Sequence, residues 1–250
     1  MPTTLHPRGV NHLALGTRDM KGQLEFWCDV LGCPLRALYY MHGVEGAFHG
    51  FVELAPESYV AFVQHPDNPK DIEWGVTHAG NPGGAVTIGG MQHVALHVNT
   101  LDEVLTMRDR IRSRGVQVIG PIDHGFIKSI YFGGPEGLSL EVTCGHDIDA
   151  NAWVDPEVVG LCDISQHEVE ALKNPAVFDR PTTPVAQPAA DPDKPTMHWP
   201  DAYDLLVSMS DQEVWDNASE TTPHARMPGT KAPSTSTSVN ISMLQRDGFR

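Results

Sequence analysis

No apolar run in this 250-residue chain approaches the roughly 18–20 residues of a membrane-spanning helix, so a membrane protein is not expected. The first residues, MPTTLHPRGVNH, lack the apolar core of a secretory signal. Cysteine is scarce: Cys28, Cys33, Cys144 and Cys162 form neither a CxxC pair nor a dense framework. That excludes a disulfide scaffold and fits reduced thiols in a cytoplasmic protein. Basic residues are outnumbered, 17 Lys and Arg against 32 Asp and Glu, for a net charge of −15. An acidic surface repels phosphate backbones and anionic lipid, so neither nucleic acid nor membrane is an expected partner. What the chain does hold is a globular share of apolar residues, 40%, and 13 histidines, which invite a search for a metal.

The chain repeats itself once. Residues 11–15 read Asn-His-Leu-Ala-Leu and residues 92–96 read Gln-His-Val-Ala-Leu. Each is followed by a polar stretch, then an amphipathic segment closed by glycine: Met20 to Leu31 before Gly32, and Leu101 to Arg114 before Gly115. Strand-like runs follow each helix: Gly46–Leu54 and Ser58–Gln64 in the first copy, then Val116–Ile119, Ser129–Phe132 and Leu138–Cys144 in the second. The pattern predicts an α+β fold of two βαβββ modules, over residues 8–66 and 90–145. A linker spans 67–89. The modules are expected to form a cup-shaped mixed sheet with helices outside. Residues 146–250 form a C-terminal extension with two short helices, Ser165–Lys173 and Pro200–Trp215, flanking a linker with six prolines between Pro181 and Pro200. This arm is expected to wrap the core or a neighbouring subunit, with a mobile end, which points to a homo-oligomer.

Alternation sorts the strand faces. Leu13 and Leu15 oppose His12, Ala14 and Gly16. Val94, Leu96 and Val98 oppose His93, Ala95 and His97. Leu138, Leu140 and Val142 oppose Ser139, Glu141 and Thr143. The apolar faces belong under the helices, which leaves a face of His, Glu and small residues for the inside of the cup. Two imidazoles and one carboxylate, His12, His93 and Glu141, sit on it. Such a set leaves adjacent coordination positions open, as in the facial triads of non-haem Fe(II) oxygenases, and also suits Mn(II) or Zn(II). His97 shares the face further along the strand and is assigned to the lining. Tyr39, Tyr40, Phe48, Phe51 and Trp74 are the expected aromatic walls of the cup.

Paired βαβββ units with His opening each and Glu on the last strand resemble the vicinal oxygen chelate superfamily. Within it, residues 122–141 are similar to the signature of type I extradiol ring-cleaving dioxygenases. That signature has a His (His124), five to seven residues, an apolar residue, a Tyr (Tyr131), a Pro-x-Gly turn (Pro135-Glu136-Gly137) and the ligand Glu (Glu141). Gly134 departs from it, standing where a small polar or acidic residue is usual. The resemblance covers residues 8–144. It implies an Fe(II) enzyme that opens a catecholic or hydroquinone-like ring with O2, the diol binding the metal through both hydroxyls. His124 would hydrogen-bond the substrate, and Tyr131 would donate toward its deprotonated oxygen. Relatives place an acid–base His on the first module's last strand. Here Tyr59 or Ser58 falls near that place, with His42, His49 and His65 as alternatives, and Tyr59 is assigned to substrate binding. No carboxylate stands at the equivalent of Glu141, whether that is Ala61 or Phe62. The alternative implied is a Mn- or Zn-dependent lyase, isomerase or thiol transferase of the same fold.

Overall fold

The computed structural model describes residues 6–145, 147–200 and 202–221. The first module runs β1 (His12–Thr17), α1 (Met20–Glu25), β2 (Leu35–Tyr40), β3 (Phe48–Ala55) and β4 (Ser58–Gln64). Asp19 caps α1 by accepting from the Gly22 amide, and the helix continues through a wider π-type turn over Phe26–Val30. Gly32, at φ +86°, then reverses the chain in a conformation glycine adopts without strain. The second module runs β5 (Val94–His97), α2 (Leu101–Ser113), β6 (Val118–Asp123), β7 (Lys128–Gly133) and β8 (Ser139–Cys144). Thr100 caps α2, and Glu103 returns the bond to the Asn99 amide.

Each module is a four-stranded mixed sheet, in the orders β1-β4-β3-β2 and β5-β8-β7-β6. The first strand lies parallel to the last, and the other pairings are antiparallel. The two sheets share no strand pair, so each module contributes its own mixed sheet, in keeping with the two βαβββ modules expected from sequence. One apolar core joins them: Leu15, Trp27, Val52 and Phe62 from the first module pack in the same buried cluster as Leu96, Ile111, Ile130 and Leu140 from the second. Polar clasps flank it. Arg110 donates to the backbone oxygens of Asp29 and Val30, and Arg114 pairs with the Asp29 carboxylate.

A third clasp is the Glu136 carboxylate at the β7–β8 turn. It accepts from the Thr17 hydroxyl, the Arg18 amide (2.8 Å) and the buried Gln23 side chain (2.8 Å). Burial pushes this carboxyl up, but those three donors outweigh it and hold it below the usual carboxylate value.

The extension differs from expectation in its helices. Besides α5 (Gln166–Lys173), whose Ser165 and Glu168 form a capping box, it carries α3 (Ala150–Trp153) and α4 (Pro156–Leu161). The segment Pro200–Trp215, expected as one helix, is two: α6 (Tyr203–Ser208) and α7 (Asp211–Ala218). Ser210 caps the second, because its hydroxyl competes for the local amides that would continue the first. The proline-rich stretch holds no regular element and is exposed. The end of the arm, expected to be mobile, lies outside the described residues. No helix among the described residues is long and apolar enough to cross a membrane.

Candidate metal centre

Strand register decides which side chains share a face. In the second module Ala95 pairs with Glu141, Glu141 with Tyr131, and Thr143 with both His97 and Ser129. His93, two residues before Ala95, stands at the mouth of this row. Leu140 and Val142, of opposite parity, are buried in the core as the alternation predicts. The result is a cleft of about 680 Å³ into which His93, His124, Tyr131 and Glu141 all project. Four of the seven residues singled out from sequence therefore line one cavity.

Glu141 is 3% exposed. Its Oε2 lies 3.1 Å from His93 Nε2, and its Oε1 has no hydrogen-bond partner. A buried carboxylate with an orphaned oxygen is costly unless a cation or donor meets it. The neighbouring imidazole is oriented for a cation. His93 Nδ1 meets the Gln92 amide oxygen, which cannot be exchanged for nitrogen because that amide donates to the backbone oxygens of Asn81 (3.0 Å) and Gly84 (3.1 Å). Nδ1 therefore carries a proton, and Nε2 is the nitrogen turned toward the carboxylate. Two donor atoms each roughly 2.1 Å from a shared ion, at right angles across it, lie roughly 3.0 Å apart. The His93–Glu141 pair fits a divalent metal.

His12 is prepared in the same way. Its Nδ1 lies 2.9 Å from Asn11 Oδ1, while the Asn11 amide nitrogen donates to the Glu57 oxygen. The structure does not gather it with the other two. Its ring stands edge-on to Phe51 (centroids 5.7 Å), and among the described residues no three His, Cys, Asp or Glu side chains converge closely enough to hold an ion.

On the first module the same register lines up His12 with Tyr59, Ala61 with Phe51, and His49 with both Val63 and Tyr39. Ala14 pairs with Ala61 as Ala95 pairs with Glu141, so Ala61, not Phe62, is the counterpart of Glu141. Tyr59 shares the His12 face but does not line the cleft, and neither does His97, which is exposed at the end of β5. Tyr39 and Phe51, expected as walls, stack on this face (6.2 Å) but do not line the cleft. Tyr40 and Phe48, expected beside them, pair with each other one residue out of phase and point to the opposite face, where Phe48 packs on the core. Trp74, also expected in the wall, lies in the linker against His78.

Of the three alternative histidines, the register puts His49 on the His12 face. Burial pushes its imidazole down, and His12 and His42 add to that, so His49 is neutral at pH 7.

In the cleft, His124 Nε2 and the Tyr131 hydroxyl share a 2.8 Å hydrogen bond. Burial raises the Tyr131 hydroxyl above its ordinary value, and the Glu141 carboxylate adds to the rise, so it remains a proton donor at neutral pH. Sequence reasoning passed over Gln92, Asn11 and Trp153, which also borders the cleft. A signal for the first two was present, since an amide side chain precedes the histidine in both repeats.

The profile of the Glyoxalase/Bleomycin resistance protein/Dioxygenase superfamily matches residues 9–142. The chain is 28% identical over 134 residues to biphenyl-2,3-diol 1,2-dioxygenase 2 of Rhodococcus globerulus, covering 52% of this chain and 60% of that one. It is 26% identical over 135 residues to a probable lactoylglutathione lyase of Synechocystis sp., covering 52% of this chain and 91% of the lyase. A solved domain from Frankia sp. EAN1pec, described as a glyoxylase/bleomycin resistance protein/dioxygenase domain, aligns with a TM-score of 0.46 at 15% identity, over 56% of this chain and all of that one. A fosfomycin resistance protein variant of Listeria monocytogenes, solved with Mn(II), aligns at 0.40 and 15% identity, over 57% and 96%. Repeat, module topology and profile agree, and the chain belongs to the Glyoxalase/Bleomycin resistance protein/Dioxygenase superfamily.

Proposed function

We propose that this chain is a metal-dependent dioxygenase of the extradiol type, opening a catecholic or hydroquinone-like ring with O2. His93 and Glu141 would hold the metal, with His12 from the first module as third ligand and Fe(II) as the ion. The observation that carries this reading is the buried Glu141, its Oε1 orphaned and its Oε2 3.1 Å from an imidazole, in a cleft that also holds a paired His124 and Tyr131. When bound, Fe(II) would acidify the diol hydroxyls and bring diol and O2 into contact.

The chain's own residues do the rest. Tyr131, protonated at neutral pH, donates toward the charge that grows on the diol oxygen. Its 2.8 Å bond to His124 gives the proton a route between hydroxyl and imidazole at the cleft wall.

A second reading, a Mn- or Zn-dependent lyase or isomerase, is favoured by the match spanning 91% of the lyase. Ala61 weighs against it, because it leaves the first module without a carboxylate at the position equivalent to Glu141.

The test is anaerobic loading with Fe(II), followed by oxygen uptake on a panel of catechols and hydroquinones. One iron per chain, uptake, and a yellow ring-opened product are expected. Glu141→Ala should lose the iron. Tyr131→Phe should keep it while kcat falls roughly 10²–10³-fold. Manganese or zinc with no oxygen uptake would transfer the assignment to the second reading.

A further inference from the structure

The last two described helices, α6 and α7, enclose an apolar groove of about 490 Å³ that owes nothing to the βαβββ modules. Its walls come from within the extension: Met197 and Trp199 at the end of the proline-rich stretch, Leu206 of α6, and Val214, Trp215 and Ala218 of α7. These walls are open to water. Trp215 is 69% exposed and Met197 66%, and of the described residues from 197 to 221 only Ala202 is buried. Helices of six and eight residues are also too short to stand alone, since roughly 12–15 residues are needed for even marginal stability in water. The capping box of Ser210 and Glu213 offsets about 1 kcal/mol of that deficit, which leaves two short helices and their indoles in need of a cover.

Charge selects the cover. From residue 195 to residue 221 the chain has six Asp or Glu and no Lys or Arg, and Asp211 borders the groove itself. Directly afterwards the sign reverses. Residues 222–250 hold four basic residues, Arg226, Lys231, Arg246 and Arg250, against the single acid Asp247. In the same stretch Val239, Ile241, Met243, Leu244 and Phe249 gather beside Arg246 and Arg250, so one segment carries both the apolar groups and the cations that the groove lacks. The basic residues of α2 are already engaged: Arg108 pairs with Asp109, Arg110 and Arg112 donate to backbone oxygens, and Arg114 pairs with Asp29. Reach points to the same segment. Ala218 and Ser219 line the groove, so the chain leaves from its rim, and the Ser-, Thr- and Pro-rich residues 222–238 could span roughly 50 Å at full extension. So short a tether gives an effective concentration on the order of millimolar, far above that of a second copy in micromolar protein.

We propose that residues 239–250 dock on the α6–α7 groove of their own chain, their apolar side chains covering Trp199 and Trp215 and Arg246 and Arg250 lying against its acidic rim. The end of the extension is then a closed unit of its own, and this holds whatever reaction the modules carry out.

Hydrogen exchange of the full chain, read by mass spectrometry on peptides covering α6 and α7, tests it. The α7 amides of wild type should exchange about tenfold more slowly than those of a variant carrying both Ile241→Ser and Leu244→Ser, while β4 and α2 exchange alike in the two and show that the modules are folded. Arg246→Glu together with Arg250→Glu should remove about threefold of the protection, and roughly 0.5 M salt should do the same to wild type. Protection should not change across a roughly twentyfold dilution, because the contact lies within one chain. Exchange as fast in wild type as in the double Ser variant, or protection indifferent to both salt and charge reversal, would overturn the proposal. So would protection that rises with protein concentration, which would assign the groove to a second copy.

Discussion

The Glu136 clasp permits a prediction whose size follows from its surroundings. Truncation to alanine removes the acceptor shared by Thr17, Arg18 and Gln23. Arg18 can turn to water, so its charge-assisted bond counts for little after solvent screening, and the Thr17 hydroxyl, though buried, keeps the Asp19 amide as a partner. Gln23 cannot: it is 1% exposed and its Oε1 already lacks a partner, so its whole amide would be buried unpaired. That costs about 1–3 kcal/mol, and about 2–3 kcal/mol with the remainder of the clasp. At roughly 2–4 °C per kcal/mol for a unit of this size, Tm should fall by roughly 4–12 °C.

Glu136 also sits at φ 53°, ψ 36°, a left-handed conformation that costs a side chain about 1 kcal/mol. Glu136→Gly should therefore be about 1 kcal/mol more stable than Glu136→Ala, the reverse of glycine's usual effect. Because the folded carboxyl is held below its unfolded value, the charged clasp stabilises fully at neutral pH. Its contribution is lost as pH falls below the ordinary carboxylate value and through the depressed one, so the gap between wild type and Glu136→Ala should close in acid. Thermal and urea unfolding by circular dichroism measure both. A Glu136→Ala protein within 0.5 kcal/mol of wild type, or a glycine variant less stable than the alanine one, would refute the reasoning.

Gln92→Ala should weaken metal binding roughly 10–100-fold by freeing the His93 ring, measured by competition against a chelator; unchanged affinity would show that Gln92 does not orient His93. Cys33, pushed up to about 11 by burial first and by Cys28 second, should be about one part in a thousand thiolate at pH 8 and resist iodoacetamide, whereas exposed Cys162 should be modified first. Peptide mapping that found Cys33 labelled as fast as Cys162 would contradict this.

The parts of the fold legible in the sequence were those with a period. β4 was read to the residue, and both helices of the modules and the face of every metal candidate followed from alternation and spacing. β2 was missed because Leu35–Tyr40 lacks a clean two-residue alternation, and its bulge against β3 disturbs the pairing that would enforce one. That omission also misplaced Tyr40 and Phe48, whose face depends on the register of β2 with β3. Tyr131 and Glu141, paired on β7 and β8, were legible from alternation, whereas His124, in the loop after β6, was reached through the resemblance. Trp153 was legible by neither route, because no period connects a residue of the extension to a loop more than 25 positions earlier. Its placement rests on the bare backbone of Gly125, a contact that only the folded chain displays.

The alanine at position 61 has a consequence in charge balance. In the centre proposed above, two neutral imidazoles and the single carboxylate of Glu141 around a divalent ion would sum to +1, whereas a carboxylate at Ala61 would bring the sum to zero. A centre left one unit positive would draw a monoanion out of water more strongly than a neutral molecule. A singly ionised diol is such an anion. In that centre the second half of the duplication would supply the charge that holds the ion, and the first half, by withholding one, would leave the ion a reason to bind something more.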